Sequence, residues 1–131
     1  MRDVNRKYTL QELARFNGKN FGLPILLSFR GDVYDVTAGA RQYGKGGAYG
    51  FAAGRDVSRS FCLNCFQDAC LLPDLRDMTA DQTSQIEKWH AMFERTYPRV
   101  GLVDKAELVS TDAQLQAANE RVEAIRKLHE G

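Results

Sequence analysis

What this 131-residue chain has little of bounds its function first. No apolar run approaches the ~20 residues that a bilayer-spanning helix needs. The opening stretch MRDVNRKY has none of the apolar core of a secretory signal. Excess charge is missing as well: a formal net charge of +1 gives no electrostatic reason to expect nucleic acid or an anionic membrane as an obligatory partner. Histidine is scarce, with only His90 and His129, and the three cysteines, Cys62, Cys65 and Cys70, all lie within FCLNCFQDAC. A structural zinc site needs four ligands, and both histidines are far along the chain from these cysteines. A redox Cys-x-x-Cys opens a helix behind a strand, and no strand-like segment precedes this one. The cysteines therefore read as small apolar residues of a short helix. No nucleophile–base pair and no carboxylate dyad is present, so the sequence does not read as an enzyme. Taken as a whole protein, the chain is expected in a reducing compartment, cytoplasmic or on the cytoplasmic face of endomembranes. The same absences suit a domain separated from a membrane anchor.

What is present describes one folded α+β domain: 44% hydrophobic and 27% charged residues over a length that suits a single core. Thr9 with Glu12 forms a capping box flanked by a Tyr8–Leu13 staple, predicting a short helix that ends near Asn17-Gly18. Residues 25–30, ILLSFR, and 33–37, VYDVT, read as a hairpin with its turn at Gly31-Asp32. The RGD at its tip is too short to indicate adhesion. Asp56 or Ser58 is placed to cap a helix over the cysteine region, which Pro73 closes. A second capping box, Thr79-x-x-Gln82, opens a helix with Ile86, Trp89, His90 and Phe93 on one face, ending at Pro98. RVGLV follows as a short strand. Thr111-x-x-Gln114 starts a terminal helix with Leu115, Ala118, Val122, Ile125 and Leu128 along one stripe, and with Glu123 and Lys127 paired on its wet side. That stripe needs a partner: the domain's own surface, another protein or a second copy.

The most distinctive segment is Tyr43-Gly44-Lys45-Gly46-Gly47-Ala48-Tyr49-Gly50. It is no P-loop, because no Ser or Thr follows Lys45, and it lacks the G-x-G-x-x-G spacing of dinucleotide sites. A mobile surface loop is one reading. The other is a loop whose glycines let the backbone approach a flat ligand while two tyrosines are held in place.

In order along the chain, YTLQELARFNG, LLSFRGDVYDVT, YGKGGAYGFAAGRDVSRSF and WHAMFERTYPRVGLV resemble the membrane-associated progesterone receptor family, whose fold is the cytochrome b5-like haem/steroid-binding domain. The resemblance runs from about Tyr8 to Val103. It implies a small mixed sheet with flanking helix pairs forming a pocket for haem b. It divides the chain into a binding domain over residues 1–104 and a C-terminal helical extension over 105–131. By resemblance Tyr49 is the axial iron ligand, Tyr43 supports it from the same pocket, and Asp56 of AGRD affects haem binding. The family's Lys-Tyr pair behind the Trp-bearing helix also contributes. Here Tyr97 is kept, but Thr96 occupies the lysine position, and Lys45, Arg95 or Arg99 are the candidates to replace its charge.

The chemistry agrees with that assignment. Ferric iron stabilises a phenolate that is otherwise formed only near pH ~10, and tyrosine is a proximal haem ligand in other proteins. A neighbouring hydroxyl such as Tyr43 can donate to the bound oxygen. An anionic oxygen ligand favours ferric iron and a low potential. The electron-carrying cytochromes b5 use two histidines, one in a His-Pro-Gly-Gly loop, and that loop is absent. His90 is expected to pack or to line the pocket, and His129 to be solvated. One strong ligand leaves the opposite haem face open to a small molecule, a second copy in a homodimer, or a partner enzyme. The leading expectation is a haem-binding module in haem handling or sensing, or an accessory to haem-thiolate monooxygenases of sterol metabolism. The alternative is a haem-free steroid, lipid or protein-interaction module on the same scaffold.

Overall fold

The alternation of apolar side chains between residues 26 and 36 sorts the domain into two sides, because successive strand residues point to opposite faces. A computed structural model of the chain describes residues 5–130. In it β1 (Lys7–Tyr8), β2 (Leu26–Phe29), β3 (Asp32–Asp35) and β4 (Arg99–Val103) form one sheet in the order β1-β4-β3-β2. β1 runs parallel to β4, and the other two pairings are antiparallel. Leu27, Phe29, Tyr34 and Val36 face the main core, together with Tyr43, Phe61 and Phe93. Leu26 and Val33 face the other way, onto Tyr8, Leu13 and Val103.

The hairpin turn sits one residue earlier than predicted. Phe29 pairs with Asp32, so Arg30 and Gly31 form the two-residue loop, with φ of 54° and 85°. Positive φ at both positions is the primed turn whose twist matches the flanking strands. Gly31 suits it, and Arg30 accepts the conformation.

The helices follow their caps. In α1 (Leu10–Leu13) the Thr9 hydroxyl accepts from the Glu12 amide. The helix is shorter than the signal at Asn17-Gly18 suggests, and single turns of hydrogen bonds carry the chain on to Phe16. α2 (Ala40–Tyr43) and α3 (Ser58–Cys62) are one turn each. α4 (Ala80–Thr96) begins at a complete Thr79/Gln82 capping box. α5 (Asp112–Glu130) begins at the equivalent Thr111/Gln114 pair, in which each residue's backbone N–H bonds the other's side chain. The α5 stripe finds the domain's own surface: Val122 and Ile125 pack with Leu63, Cys65 and Cys70, while Leu128 at the far end stays 82% exposed. Glu123 approaches Arg126 at 4.0 Å on the outer side.

Cysteine behaviour differs from the sequence reading at two of three positions. Cys62 is free and buried at the end of α3, as a small apolar residue would be. Cys65 and Cys70 are bonded to one another, with Cα atoms 6.0 Å apart, beneath α5. The backbone reverses at Asn64, with φ of 56°, which ends α3 before the second cysteine and frees that residue to meet the third.

A polar clasp holds α5 in place. Arg59, 1% exposed, donates to both carboxylate oxygens of Asp77 (2.7 and 3.0 Å), to the Asp74 carbonyl and to the Asn119 side chain of α5. Asn119 donates back to Asp77 at 2.9 Å. Asp74 accepts from the Ser110 amide, and Arg76 bridges the Ser110 carbonyl and Asp112. The Arg59 guanidinium holds the Asp77 carboxyl down at about 2, below its ordinary 3.8. The sign follows: Asp77 contributes stability above pH 3.8, lost as pH falls towards about 2. Arg59→Met is expected to cost about 3 kcal/mol in urea unfolding, since it strands a charged partner. Asp77→Asn should flatten the acid limb of stability across the same pH window; an unchanged limb would remove Asp77 as its cause.

Candidate functional site

Four glycines in eight residues make a loop that is packed rather than loose. A Cβ at Gly47 would meet the Arg41 carbonyl oxygen at 2.5 Å and that of Gln42 closer still. A Cβ at Gly44 would lie 2.5 Å from the Ala40 carbonyl oxygen. The loop therefore folds back on α2, and the Tyr49 amide donates to the Gln42 carbonyl at 2.7 Å. That bond fixes where the second tyrosine leaves the loop.

The structure brings Tyr43, Tyr49 and Tyr97 together. Tyr43 is buried, with its ring 5.7 Å from Tyr49 and 6.0 Å edge-on from Tyr97. Gly39 leaves room for this, because a Cβ there would meet the Tyr97 hydroxyl at 2.5 Å. Tyr49 is half-buried, and aromatic rings flank it: Phe61 at 5.4 Å and Phe66 at 5.3 Å, with Trp89 a further 4.8 Å from Phe61. Burial, then the neighbouring phenols of Tyr97 and Tyr49, push the Tyr43 hydroxyl well above its ordinary 10, and burial raises Tyr97 too. Both stay protonated at neutral pH and act as hydrogen-bond donors, not as anions.

Asp56 sits apart from this cluster. Its carboxylate accepts from the Ser28 hydroxyl (2.7 Å) and the Ser58 amide (3.0 Å), tying β2 to the start of α3, and Ser28 and Asp56 also form a parallel bridge. Burial pushes its carboxyl upward, and the bonds from Ser28 and Ser58 oppose that shift. What connects it to the tyrosines is α3, which carries Phe61. The cation candidates also separate. Arg99 lies on the sheet, 4.0 Å from Asp32, whereas Lys45 and Arg95 are exposed. His90 packs on Phe29 and bonds Asp32 rather than lining the tyrosine cluster, and His129 is exposed.

One functional face escaped the sequence reading. A groove of about 610 Å³ runs between α3 and α4, lined by Phe61, Cys62, Gln85, Lys88, Trp89 and Met92 among others. Gln85, Lys88, Trp89 and Met92 follow the spacing i, i+3, i+4, i+7, a second helical face that the polar Gln and Lys had masked. The groove does not include the tyrosines. Phe61 and Trp89 form the wall common to both, so the groove and the cluster are two sides of one aromatic layer. Burial pushes the Cys62 thiol up to about 11, so it lines the groove as a neutral thiol and not as a thiolate ligand.

Oxygen donors from phenols and flat aromatic walls are a donor set suited to a hard ferric ion in an apolar macrocycle. The comparisons with known proteins agree in family. Residues 9–103 match the model described as the cytochrome b5-like heme/steroid binding domain. The chain belongs to the membrane-associated progesterone receptor family, with a cytochrome b5-like domain. It is 41% identical to membrane-associated progesterone-binding protein 4 of Arabidopsis thaliana, over 73% of this chain and 39% of that one. It is 36% identical to the human membrane-associated progesterone receptor component 2, over 73% of this chain and 44% of the relative. It thus spans under half the length of these two relatives. The cytochrome P450 regulator dap1 of Schizosaccharomyces pombe is 32% identical over 89% of this chain and 74% of that protein. A solved Arabidopsis thaliana structure with a cytochrome b5-like fold superposes with a TM-score of 0.70 at 32% identity, covering 79% of this chain and 94% of that one. These relatives are named as binding proteins or regulators rather than as enzymes. Among the described residues, no helix of this chain is long and apolar enough to cross a membrane.

The packed loop makes a comparison of two glycines informative. Gly47→Ala should destabilise the fold by roughly 1–3 kcal/mol through overpacking and alter the near-UV signal of the tyrosines. Gly46 has open space around it but a φ of +83°, so Gly46→Ala should cost only the ~1–2 kcal/mol of left-handed strain and leave the near-UV spectrum unchanged. Equal spectra for the two variants would mean that the loop does not fix Tyr49.

Proposed function

We propose that the tyrosine cluster is a haem b site with Tyr49 as the axial ligand to ferric iron. The observation that carries this reading is the setting of Tyr49: half-buried between flat aromatic rings and beside a Tyr43 hydroxyl that burial keeps protonated. Tyr49 is the phenol positioned to lose its proton to a metal. In this reading Tyr43, whose ring lies 5.7 Å from that of Tyr49, donates to the resulting phenolate, and Tyr97 packs edge-on against Tyr43. Ferric haem, when bound, supplies a Lewis-acidic iron with one face left open by a single protein ligand. Residues 1–104 form the binding unit in this reading, and the 105–131 extension buttresses the wall that contains Phe66.

The biological role that fits is haem handling or sensing, or support of haem-thiolate monooxygenases of sterol metabolism. The name of the dap1 relative and the open iron face favour the second. A homodimer through the open haem face belongs to the same reading. So does action on the cytoplasmic face of endomembranes, given the membrane-associated names of the relatives. A second reading rests on a different observation. The α3–α4 groove, apolar at Phe61, Trp89 and Met92, has the size of a small-molecule site, and a steroid or lipid could occupy it without haem.

Titration of the purified chain with ferric haem separates these readings. A saturable Soret band with the charge-transfer bands of a ferric phenolate is expected, weakened about 100-fold in Tyr49→Phe and about tenfold in Tyr43→Phe. Because binding deprotonates Tyr49, affinity should fall as pH is lowered. Haem retention by Tyr49→Phe equal to the parent would sink the ligand assignment. Steroid binding that survives Tyr49→Phe but is lost in Met92→Glu would favour the groove.

A further inference from the structure

On the side of α4 that faces the sheet, three potential metal ligands converge, and neither the tyrosine cluster nor the groove uses them. His90 and Glu94 are one turn apart on the helix, so they share a face. Asp32, the first residue of β3, stands opposite them directly after the Arg30-Gly31 turn. One ligand atom from each of the three lies within 4.8 Å of the others. We propose that Asp32, His90 and Glu94 bind a divalent zinc-class ion.

Two features distinguish this group from a chance meeting of surface charges. First, the ligands are oriented. The His90 ring packs on Phe29 at 5.7 Å and edge-on to Tyr34 at 6.5 Å, which directs Nε2 to Asp32 Oδ2 at 2.8 Å. The Tyr34 hydroxyl donates to Glu94 Oε1 at 2.7 Å, leaving the other carboxylate oxygen for an ion. Such outer partners set the geometry and basicity of metal ligands. Tyr34 is buried with its hydroxyl committed to Glu94, so it serves as a donor to a ligand and not as a ligand itself. Second, the positions suit the ion. Donors bonded to tetrahedral zinc at ~2.0–2.2 Å lie roughly 3.4 Å apart, within side-chain rotation of the observed spacing.

The donor set selects the class of metal. One imidazole and two carboxylates suit borderline divalent ions, with zinc above manganese and iron in affinity. Soft monovalent copper would need sulfur. Three protein ligands leave a fourth position for water. Zinc would replace the proton on Nε2, and the neutral imidazole would keep its proton on Nδ1. The charge opposing an ion is the Arg99 guanidinium, 4.0 Å from Asp32 Oδ1 on β4. Two carboxylates outweigh it. The Arg30–Glu87 pair, at 3.2 Å, sits one helical turn earlier and spans the same gap between hairpin and α4. A bound ion would therefore lock α4 to the β2–β3 hairpin from the face opposite its groove.

The test is a titration of the haem-free full chain with zinc and, for its visible d–d bands, with cobalt(II). We expect saturable 1:1 binding, a rise in Tm with zinc, and d–d bands of a four- or five-coordinate site. Glu94→Gln keeps an acceptor for Tyr34 and should lower zinc affinity at least about tenfold. His90→Gln should abolish the cobalt bands, and Tyr34→Phe should weaken binding by about tenfold. Should His90→Gln fail to fold, the exposed Glu94→Gln decides the question alone. Haem titration of Glu94→Gln should match the parent, so this inference and the haem site fail separately. Absence of saturable binding would overturn the proposal. So would binding that Glu94→Gln leaves intact or that His129→Gln removes.

Discussion

A helix of five residues with every side chain buried must find partners for its polar groups inside the protein, and α3 does so for all but the Arg59 Nε. At its start, Asp56 takes the Ser58 amide and the Ser28 hydroxyl, which locks the helix to β2. Along its length, Arg59 sends its guanidinium into Asp77 and Asn119, which locks it to the following loop and to α5. Phe61 follows these fixed points, half a turn beyond Arg59. An isolated one-turn helix has no stability of its own. The position of Phe61 is therefore set by these buried charges and their partners rather than by helix propensity.

Phe61 in turn organises the aromatic layer. It touches Tyr49, Phe66, Trp89 and Phe93, so a single ring connects the glycine loop, the 63–67 turn and α4. The tyrosines lie on one side of the layer and the groove on the other. Anything packed on either side would press on the same wall. α4 contributes three faces to this arrangement: Ile86 and Phe93 to the core, Gln85, Lys88, Trp89 and Met92 to the groove, and His90 with Glu94 to the sheet side.

How much of this was legible in the sequence depended on how local each cause is. The caps at Thr9, Thr79 and Thr111 act within three residues, and all three start helices where the sequence placed them. The hairpin was legible too, but its turn moved from Gly31-Asp32 to Arg30-Gly31, because a primed turn asks for positive φ at two residues and arginine does not advertise it. The convergence of Tyr43, Tyr49 and Tyr97 was carried by the family resemblance. Spacing alone left a mobile loop open. The Arg59 clasp was invisible, since its partners lie 18 and 60 residues away. So was the Asp32–His90 contact, at a separation of 58. The groove face of α4 was hidden because the sequence reading set Trp89 on one face with Ile86, His90 and Phe93, whereas it joins Gln85, Lys88 and Met92. Lysine covers apolar surface with its stem while its charge stays in water.

The parallel pairing of β1 with β4 has an architectural corollary. Lys7 lies beside Leu102 and Tyr8 beside Val103, so the chain enters the sheet at one edge and leaves it from the adjacent strand. A module whose entrance and exit are neighbours can be spliced into a larger polypeptide without stretching or rethreading anything inside it. Residues 7 and 103 are thus close neighbours, although parallel pairing sends the chain away from them in opposite directions along the strands. A segment added at either point can differ in length while the β1–β4 pairing keeps its register.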